Sequence, residues 1–262
     1  MNILSDILDV AIDAAYLAGK RTLTYYQSGV RTEYKADTSP VTIADRESER
    51  IIRERIKHSF PTHSILGEEE GEFKGNSSLR WIIDPLDGTK AFISGVPFYG
   101  VLVGVEIEGN PTVGVAYFPV LGELVTAVLG QGCRWNGRRC VCSSTNRLED
   151  AVVVTSSITR CQARSDAFDK LAARTKWQRT WGDAYGYFLV ATGQADIMID
   201  AMIKPWDAAP MLPIIHEAGG HFTDWSGKRT ILGRDAFATN NQLYGSVLQI
   251  LQSENLRLAD VQ

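Results

Sequence analysis

Trp81-Ile82-Ile83-Asp84-Pro85-Leu86-Asp87-Gly88-Thr89 is the stretch on which the reading of this chain turns. An apolar run ends in two carboxylates three residues apart, with a proline between them and Gly-Thr directly after. Carboxylates at the mouth of a buried strand are costly to bury unless a positive charge meets them. A hard metal cation meets that need, and so does an arginine or lysine from elsewhere in the chain. Asp and Glu oxygens suit Mg²⁺, Ca²⁺ or Mn²⁺ far better than zinc. Gly88 and Thr89 read as the start of a helix, whose free backbone N–H groups attract an anion. A metal beside an anion pocket suggests phosphate chemistry.

Working outward, 262 residues is long for one core and short for two independent domains, so one unit with two lobes is expected. Hydrophobic content of 44% and charged content of 22% are those of an ordinary globular protein. The net charge of −4 argues against nucleic acid as the main partner. No apolar run approaches the roughly 20 residues needed to span a bilayer, and the first residues lack signal-peptide blocks. The expected location is the cytoplasm. Cys133, Cys140, Cys142 and Cys161 lack the spacing of a zinc site and read as reduced thiols.

Upstream of the opening stretch, Leu4, Ile7, Leu8, Ala11, Ala14, Ala15 and Ala18 recur at helical steps, which predicts a helix from 2 to about 27. Val30–Lys35 reads as a short strand, and Ala36-Asp37-Thr38-Ser39-Pro40 as a turn-rich connector. A second helix is predicted from about Val41 to His58. Ala44, Ile51, Ile52 and Ile56 line its apolar face, and Arg46, Glu49, Arg50 and Arg53 are expected to point outward. Asp45 lies in the first turn, where an acid is ordinary helix chemistry. Ile65-Leu66 leads into Gly67-Glu68-Glu69-Glu70-Gly71, either a solvated loop or a metal-facing edge. Gly75-Asn76-Ser77-Ser78 reads as a flexible loop tip.

Downstream, Lys90–Ser94 is a short helix, and Phe98 to about Trp135 is all strand. Residues 101–107, 113–117 and 123–128 form a meander with turns at Gly109-Asn110, Val120-Leu121-Gly122 and Asn136-Gly137. The first lobe, residues 1–137, is therefore helices on an antiparallel sheet (α+β). The second, residues 138–262, alternates: strand 151–155, helix 162–173, strand 177–180, helix 183–192, strand 195–199, and a helix from Pro205 to Ala218 stopped by Gly219-Gly220. Alternation implies an α/β lobe.

The acids that stand out are Glu68, Glu69, Asp84, Asp87 and Asp207. Asp207, in the first turn of its helix, is on its own an N-terminal helix residue. Together these acids could hold two cations about 3.5–4 Å apart, as two-metal phosphate enzymes do. None of His58, His63, His216 and His221 shows paired ligand spacing.

Gly67-Glu68-Glu69, Asp84-Pro85-Leu86-Asp87-Gly88-Thr89, Trp206-Asp207-Ala208-Ala209 and Glu217-Ala218-Gly219-Gly220 together resemble the inositol-monophosphatase superfamily. The resemblance runs from Lys35 to Asn240. It implies an α/β fold, a five-layer αβαβα sandwich, usually a homodimer, and Mg²⁺-dependent hydrolysis of phosphate monoesters with two or three ions per site. It also implies roles. Glu68, Asp84 and the Leu86 carbonyl would hold one metal, and Asp84, Asp87 and Asp207 a second, with Glu68 helping a weaker third. Thr89 paired with Asp45 would orient and deprotonate the attacking water, and the Gly88 and Thr89 amides would hold phosphate. No nucleic acid or membrane partner is implied.

Lys35-Ala36-Asp37-Thr38-Ser39-Pro40-Val41-Thr42, Asp87–Gly95 and Trp181-Gly182-Asp183-Ala184-Tyr185-Gly186-Tyr187 look like the histidinol-phosphate phosphatase branch. The Thr-Lys pair after Gly88 is shared with the 3′-phosphoadenosine-5′-phosphate phosphatase branch. Inositol-specific members more often carry a small neutral residue where Asp183 stands, and a Glu where Asp200 stands. Two aspartates facing the leaving group would suit a cationic amino-alcohol over a neutral polyol, although Asp183 could equally cap its helix. Histidinol phosphate is therefore the expected substrate. The alternatives are an inositol, sugar or nucleotide phosphatase, and a regulatory binding protein on the same scaffold.

Overall fold

The structure, a computed structural model, describes residues 3–252. Residues 1, 2 and 253–262, the outer ends of the two expected lobes, lie outside the described residues. The chain runs α1 (Ile3–Tyr25), β1 (Glu33–Tyr34), β2 (Pro40–Val41), α2 (Ile43–Ser59), β3 (Ser64–Gly67), β4 (Gly71–Phe73), β5 (Leu79–Asp87) and α3 (Thr89–Ile93). Then come β6 (Gly100–Ile107), β7 (Asn110–Phe118), β8 (Glu123–Val128), β9 (Gly132–Trp135) and β10 (Arg138–Cys140). After these follow β11 (Val152–Val154), α4 (Ile158–Arg164), α5 (Ala167–Ala172), β12 (Trp177–Arg179), α6 (Asp183–Ala191) and β13 (Ile197–Asp200). The described chain closes with α7 (Pro205–Glu217), β14 (Gly220–Thr223), β15 (Ala236–Asn240) and α8 (Tyr244–Gln252).

Two sheets organise these elements. One has eight strands in the order β10-β9-β8-β7-β6-β5-β3-β4, antiparallel except where β3 runs parallel to β5. The other has five, β12-β11-β13-β15-β14. Its first three strands are parallel, and β15 and β14 are antiparallel.

Strand alternation sorts side chains between layers. Trp81, Ile83, Val101, Val103 and Val105 join Ile7, Ala11, Ala14 and Ile52 of α1 and α2 in one core. Ile82, Leu102, Ala116 and Phe118 face the opposite way, into a core with α6 and α7 that also takes in Met198 and Ala238 of the second sheet. Ile197, Ile199 and Phe237 pack outward against α4, α5 and α8. The result is the expected five-layer αβαβα sandwich, with α6 and α7 as the shared middle layer. Gly114 lets the backbone of α7 approach β7, because a Cβ there would lie 2.1 Å from the Pro210 carbonyl oxygen.

Several expectations change. The helix expected over 162–173 is two, α4 and α5, since Ser165 is extended and its hydroxyl accepts from the Ala167 amide, competing with helix continuation. The short strand expected over Val30–Lys35 shrinks to Glu33–Tyr34. The turn before β7 is Glu108-Gly109, both at positive φ, one residue earlier than Gly109-Asn110. The segment Gly75–Ser78 is tied down, with Asn76 and Ser77 amides donating to the Thr62 carbonyl. β14, β15 and α8 are additional to the expected elements. Arg46 and Arg50 are exposed as expected, but Glu49 and Arg53 are buried, because they pair with each other across one turn of α2.

The same substitution should have opposite effects at two glycines. Gly114→Ala should destabilise the protein by about 1–3 kcal/mol or more through overpacking against Pro210. Gly245→Ala, exposed in α8 with open space around its Cβ, should be neutral or stabilise by up to about 1 kcal/mol. Urea unfolding midpoints of the two variants check this pair.

Candidate active site

β5 ends in a bulge. Asp84 pairs with Leu102 and Asp87 with Gly100, so three steps on β5 match two on β6. In a regular strand, residues three apart point to opposite faces. The extra residue cancels that offset and turns both carboxylates to the same side. Asp84 is held by the Leu86 amide donating to its Oδ1 at 2.9 Å. Asp87 Oδ2 accepts from the Ala184 amide at 2.8 Å, which joins β5 to the first turn of α6.

Asp207 arrives from α7, where the Lys204 amide donates to its Oδ2 at 2.9 Å. Asp84, Asp87 and Asp207 each offer a ligand atom, all within 4.8 Å of one another. Burial raises all three carboxyls above their ordinary range, Asp207 to about 7. Neighbouring charge adds to this: Glu68, Asp87 and Asp207 act on Asp84, and Asp183 and Asp207 act on Asp87. Three convergent carboxylates that repel one another could hold a hard divalent cation. Glu68 lies outside that trio, because its Oε1 accepts from Lys35 Nζ at 2.8 Å, and the same ammonium reaches Glu69 at 2.6 Å. Burial raises the Glu69 carboxyl to about 7.

Gly88, at φ 79°, turns the chain into α3. Thr89 follows, and its hydroxyl has two acceptors at 3.2 Å, Asp45 Oδ1 and the Leu86 carbonyl. Asp45 serves its own helix and also meets Thr89. Its Oδ2 accepts from the Thr42 amide and hydroxyl in a capping box, and its other oxygen faces Thr89. Burial pushes its carboxyl upward.

Glu68, Asp84, Leu86, Asp87, Gly88, Thr89 and Asp207 line a cleft of about 560 Å³, together with Lys35, Lys90, Arg160, Asp183, Asp200 and Lys204, and Asp45 lies behind Thr89. Asp183 does not cap its helix: the first amides of α6 go to Ser156 Oγ and Asp87 Oδ2, and Asp183 itself sits at φ 53°. Its carboxylate is 3.5 Å from the place a Gly88 Cβ would occupy. Asp200 is more deeply set, with its oxygens accepting from the Ser156 amide at 3.1 Å and the Tyr187 hydroxyl at 3.2 Å. Burial raises it to about 7. The structure thus brings Asp45, Glu68, Asp84, Leu86, Asp87, Gly88, Thr89, Asp183, Asp200 and Asp207 to one cleft or its wall. Sequence reasoning missed Lys35 as a partner of Glu68 and Glu69, and Ser156 as the link between Asp183 and Asp200. Neither carries a local signal, since both are ordinary polar residues in loops.

A five-layer αβαβα sandwich with a carboxylate trio between its sheets defines a class of protein. Residues 3–256 match the model of the inositol monophosphatase family, and the chain belongs to that family. A histidinol-phosphatase of Chlorobaculum parvum is 38% identical over 91% of this chain and 93% of its own length. Inositol monophosphatase 3 of Solanum lycopersicum is 34% identical over 95% and 97%, and Nus factor SuhB of Escherichia coli K12 is 31% identical over 92% and 91%. The crystal structure of suhB from Bartonella henselae superposes with TM-score 0.88 at 31% identity, covering 94% of this chain and 98% of that one.

An acid whose folded pKa lies above its unfolded value stabilises the fold below the unfolded pKa, and that stability is lost as pH rises through the folded one. For Asp207 the window runs from 3.8 to about 7. In chelator-treated protein, Asp207→Asn should therefore gain melting temperature relative to wild type as pH rises from about 5 to about 8. A divalent cation should raise the wild-type value more at the upper end. Scanning calorimetry across pH reads both effects, and parallel curves for the two proteins would contradict the electrostatic reading of the trio.

Proposed function

We propose that the chain is a Mg²⁺-dependent phosphomonoesterase that hydrolyses L-histidinol phosphate to L-histidinol and phosphate. The observation that carries this is the convergence of Asp84, Asp87 and Asp207, with Thr89 in the same cleft and Asp45 bonded behind it. Glu68, Asp84, Asp87, Asp207 and the Leu86 carbonyl are the groups that would hold two or three Mg²⁺ ions. Bound Mg²⁺ supplies charge neutralisation on the phosphoryl oxygens and a water of lowered pKa.

The chain's own groups do the rest. Thr89 directs its proton to Asp45 and leaves its lone pairs for a proton of the attacking water. Asp45 can take the relayed proton, and its burial makes it a stronger base than an exposed carboxylate. Backbone N–H groups at Gly88 and Thr89, which line the cleft at the start of α3, would donate to phosphate. Water oxygen bonds to phosphorus as the ester P–O bond breaks, and the departing alkoxide takes up a proton from solvent. Asp183 stands where a cationic leaving group would meet it, with Asp200 behind it through Ser156. The 38% identical histidinol-phosphatase supports this branch.

A polyol phosphate is the second reading. Lys90 and Arg160 lie close enough to Asp183 to offset part of its negative charge, which weakens the preference for a cation. The relative named inositol monophosphatase 3 supports this reading. A regulatory binding role is the reading that the relative named Nus factor SuhB supports. We expect a homodimer in the cytoplasm. No helix of the described residues is long and apolar enough to cross a membrane.

Phosphate release should require Mg²⁺, and Asp84→Asn should lower kcat by about 10³-fold or more, equivalent to several kcal/mol of lost charge stabilisation. Activity that survives excess chelator would sink the metal mechanism. Comparing kcat/KM for histidinol phosphate, inositol 1-phosphate, fructose 1,6-bisphosphate and 3′-phosphoadenosine 5′-phosphate decides the substrate. Asp183→Asn should reduce turnover of histidinol phosphate more than of inositol 1-phosphate, and equal losses would remove the cation argument.

A further inference from the structure

The turn that carries Glu68 is held from inside α2. Glu49 is fully buried there, at 0% exposure, which is unusual for a glutamate. Its Oε2 accepts from the Glu69 amide at 2.8 Å and its Oε1 from the Glu70 amide at 3.0 Å. Arg53, one turn later and also buried, donates its Nε to Glu49 Oε1 at 2.8 Å and its Nη2 to the Gly71 carbonyl at 2.5 Å. Arg53 also reaches Glu70 at 3.4 Å. Gly67 completes the seat, because a Cβ there would lie 2.2 Å from Glu49 Oε1. One ion pair thus holds Gly67, Glu69, Glu70 and Gly71, the residues on either side of Glu68. Lys35 holds the Glu68 and Glu69 side chains from the cleft side.

A buried ion pair is weak grounds for stability, since apolar residues of similar size often serve as well. What apolar residues could not do is accept both turn amides and donate to its last carbonyl. Three adjacent glutamates repel one another and, without a grip, favour an open solvated loop. The grip gives that turn a single shape.

We propose that Glu49, with Arg53, is a positioning residue that fixes Glu68 against the cleft and so sets the divalent-metal affinity of the site. This rests on the metal-dependent reading above. Groups that orient metal ligands from behind typically contribute 10–100-fold in metal affinity.

The test is Mn²⁺ binding followed by electron paramagnetic resonance, with Mg²⁺ activation of phosphate release measured alongside. Wild-type protein that binds no Mn²⁺ would remove the metal-dependent reading itself. If wild type binds, Glu49→Gln should weaken Mn²⁺ affinity by about tenfold or more. Gln supplies one carbonyl oxygen for two amides and leaves Arg53 with only the more exposed Glu70 as counter-charge. The Mg²⁺ concentration for half-maximal activity should rise in parallel, with much of the lost kcat recovered at saturating Mg²⁺. Hydrogen exchange at the Glu69 and Glu70 amides should accelerate. Should Glu49→Gln not fold, Arg53→Lys keeps the positive charge but loses the second donor, and it should show the same shift more weakly. Unchanged Mn²⁺ affinity in whichever variant folds would overturn the proposal, as would a lower melting temperature with unaltered Mg²⁺ activation.

Discussion

The structure is built around one electrostatic constraint: Asp84, Asp87 and Asp207 converge in one cleft, with ligand atoms within 4.8 Å of one another. Like charges held this close in a low dielectric repel strongly. Lys35 answers part of the local excess, at Glu68 and Glu69. The trio itself has no ammonium or guanidinium bonded to it among the described residues, and its carboxyls are accordingly raised. A site of this kind is poised for a cation, and the fold tolerates the repulsion because hydrogen bonds pin each acid in place.

Those hydrogen bonds come largely from helix starts. Asp45 lies in the first turn of α2 and Asp207 in that of α7, each accepting from its own cap amide. Asp87 accepts from the first turn of α6, and Thr89 opens α3. Helices α2, α3, α6 and α7 therefore start at one cleft, with α2 on one face of the eight-stranded sheet and α6 and α7 on the other. The positive ends of their dipoles favour negative charge there, on carboxylates and on a phosphate. The five-layer arrangement permits this, since α6 and α7 lie between the sheets and can meet β5 on one side while belonging to the later part of the chain.

The sequence was most informative where local pattern and tertiary role coincide. The α1 stripe, the β6–β8 meander and the Pro205 helix start follow from period and turn chemistry alone. It was misleading where a residue serves a distant partner. Glu49 and Arg53 look like the exposed face of an amphipathic helix, but the turn 67–71 covers them. Asp183 looks like a helix cap, but Asp87 and Ser156 take the amides it would have capped. Ser165 splits what period alone would join.

The sequence by itself carried the family resemblance, and with it the expected layer order and the candidate acids Glu68, Asp84, Asp87 and Asp207, because these acids lie in short motifs whose residue types have few other uses. Only the tertiary structure decided how those acids are held. The bulge that turns Asp84 and Asp87 to one side depends on β6 as a neighbour. The engagement of Glu68 by Lys35 and the seating of its turn on Glu49 join residues far apart in the chain. Such pairings arise when packed layers meet, and local periodicity holds no record of them.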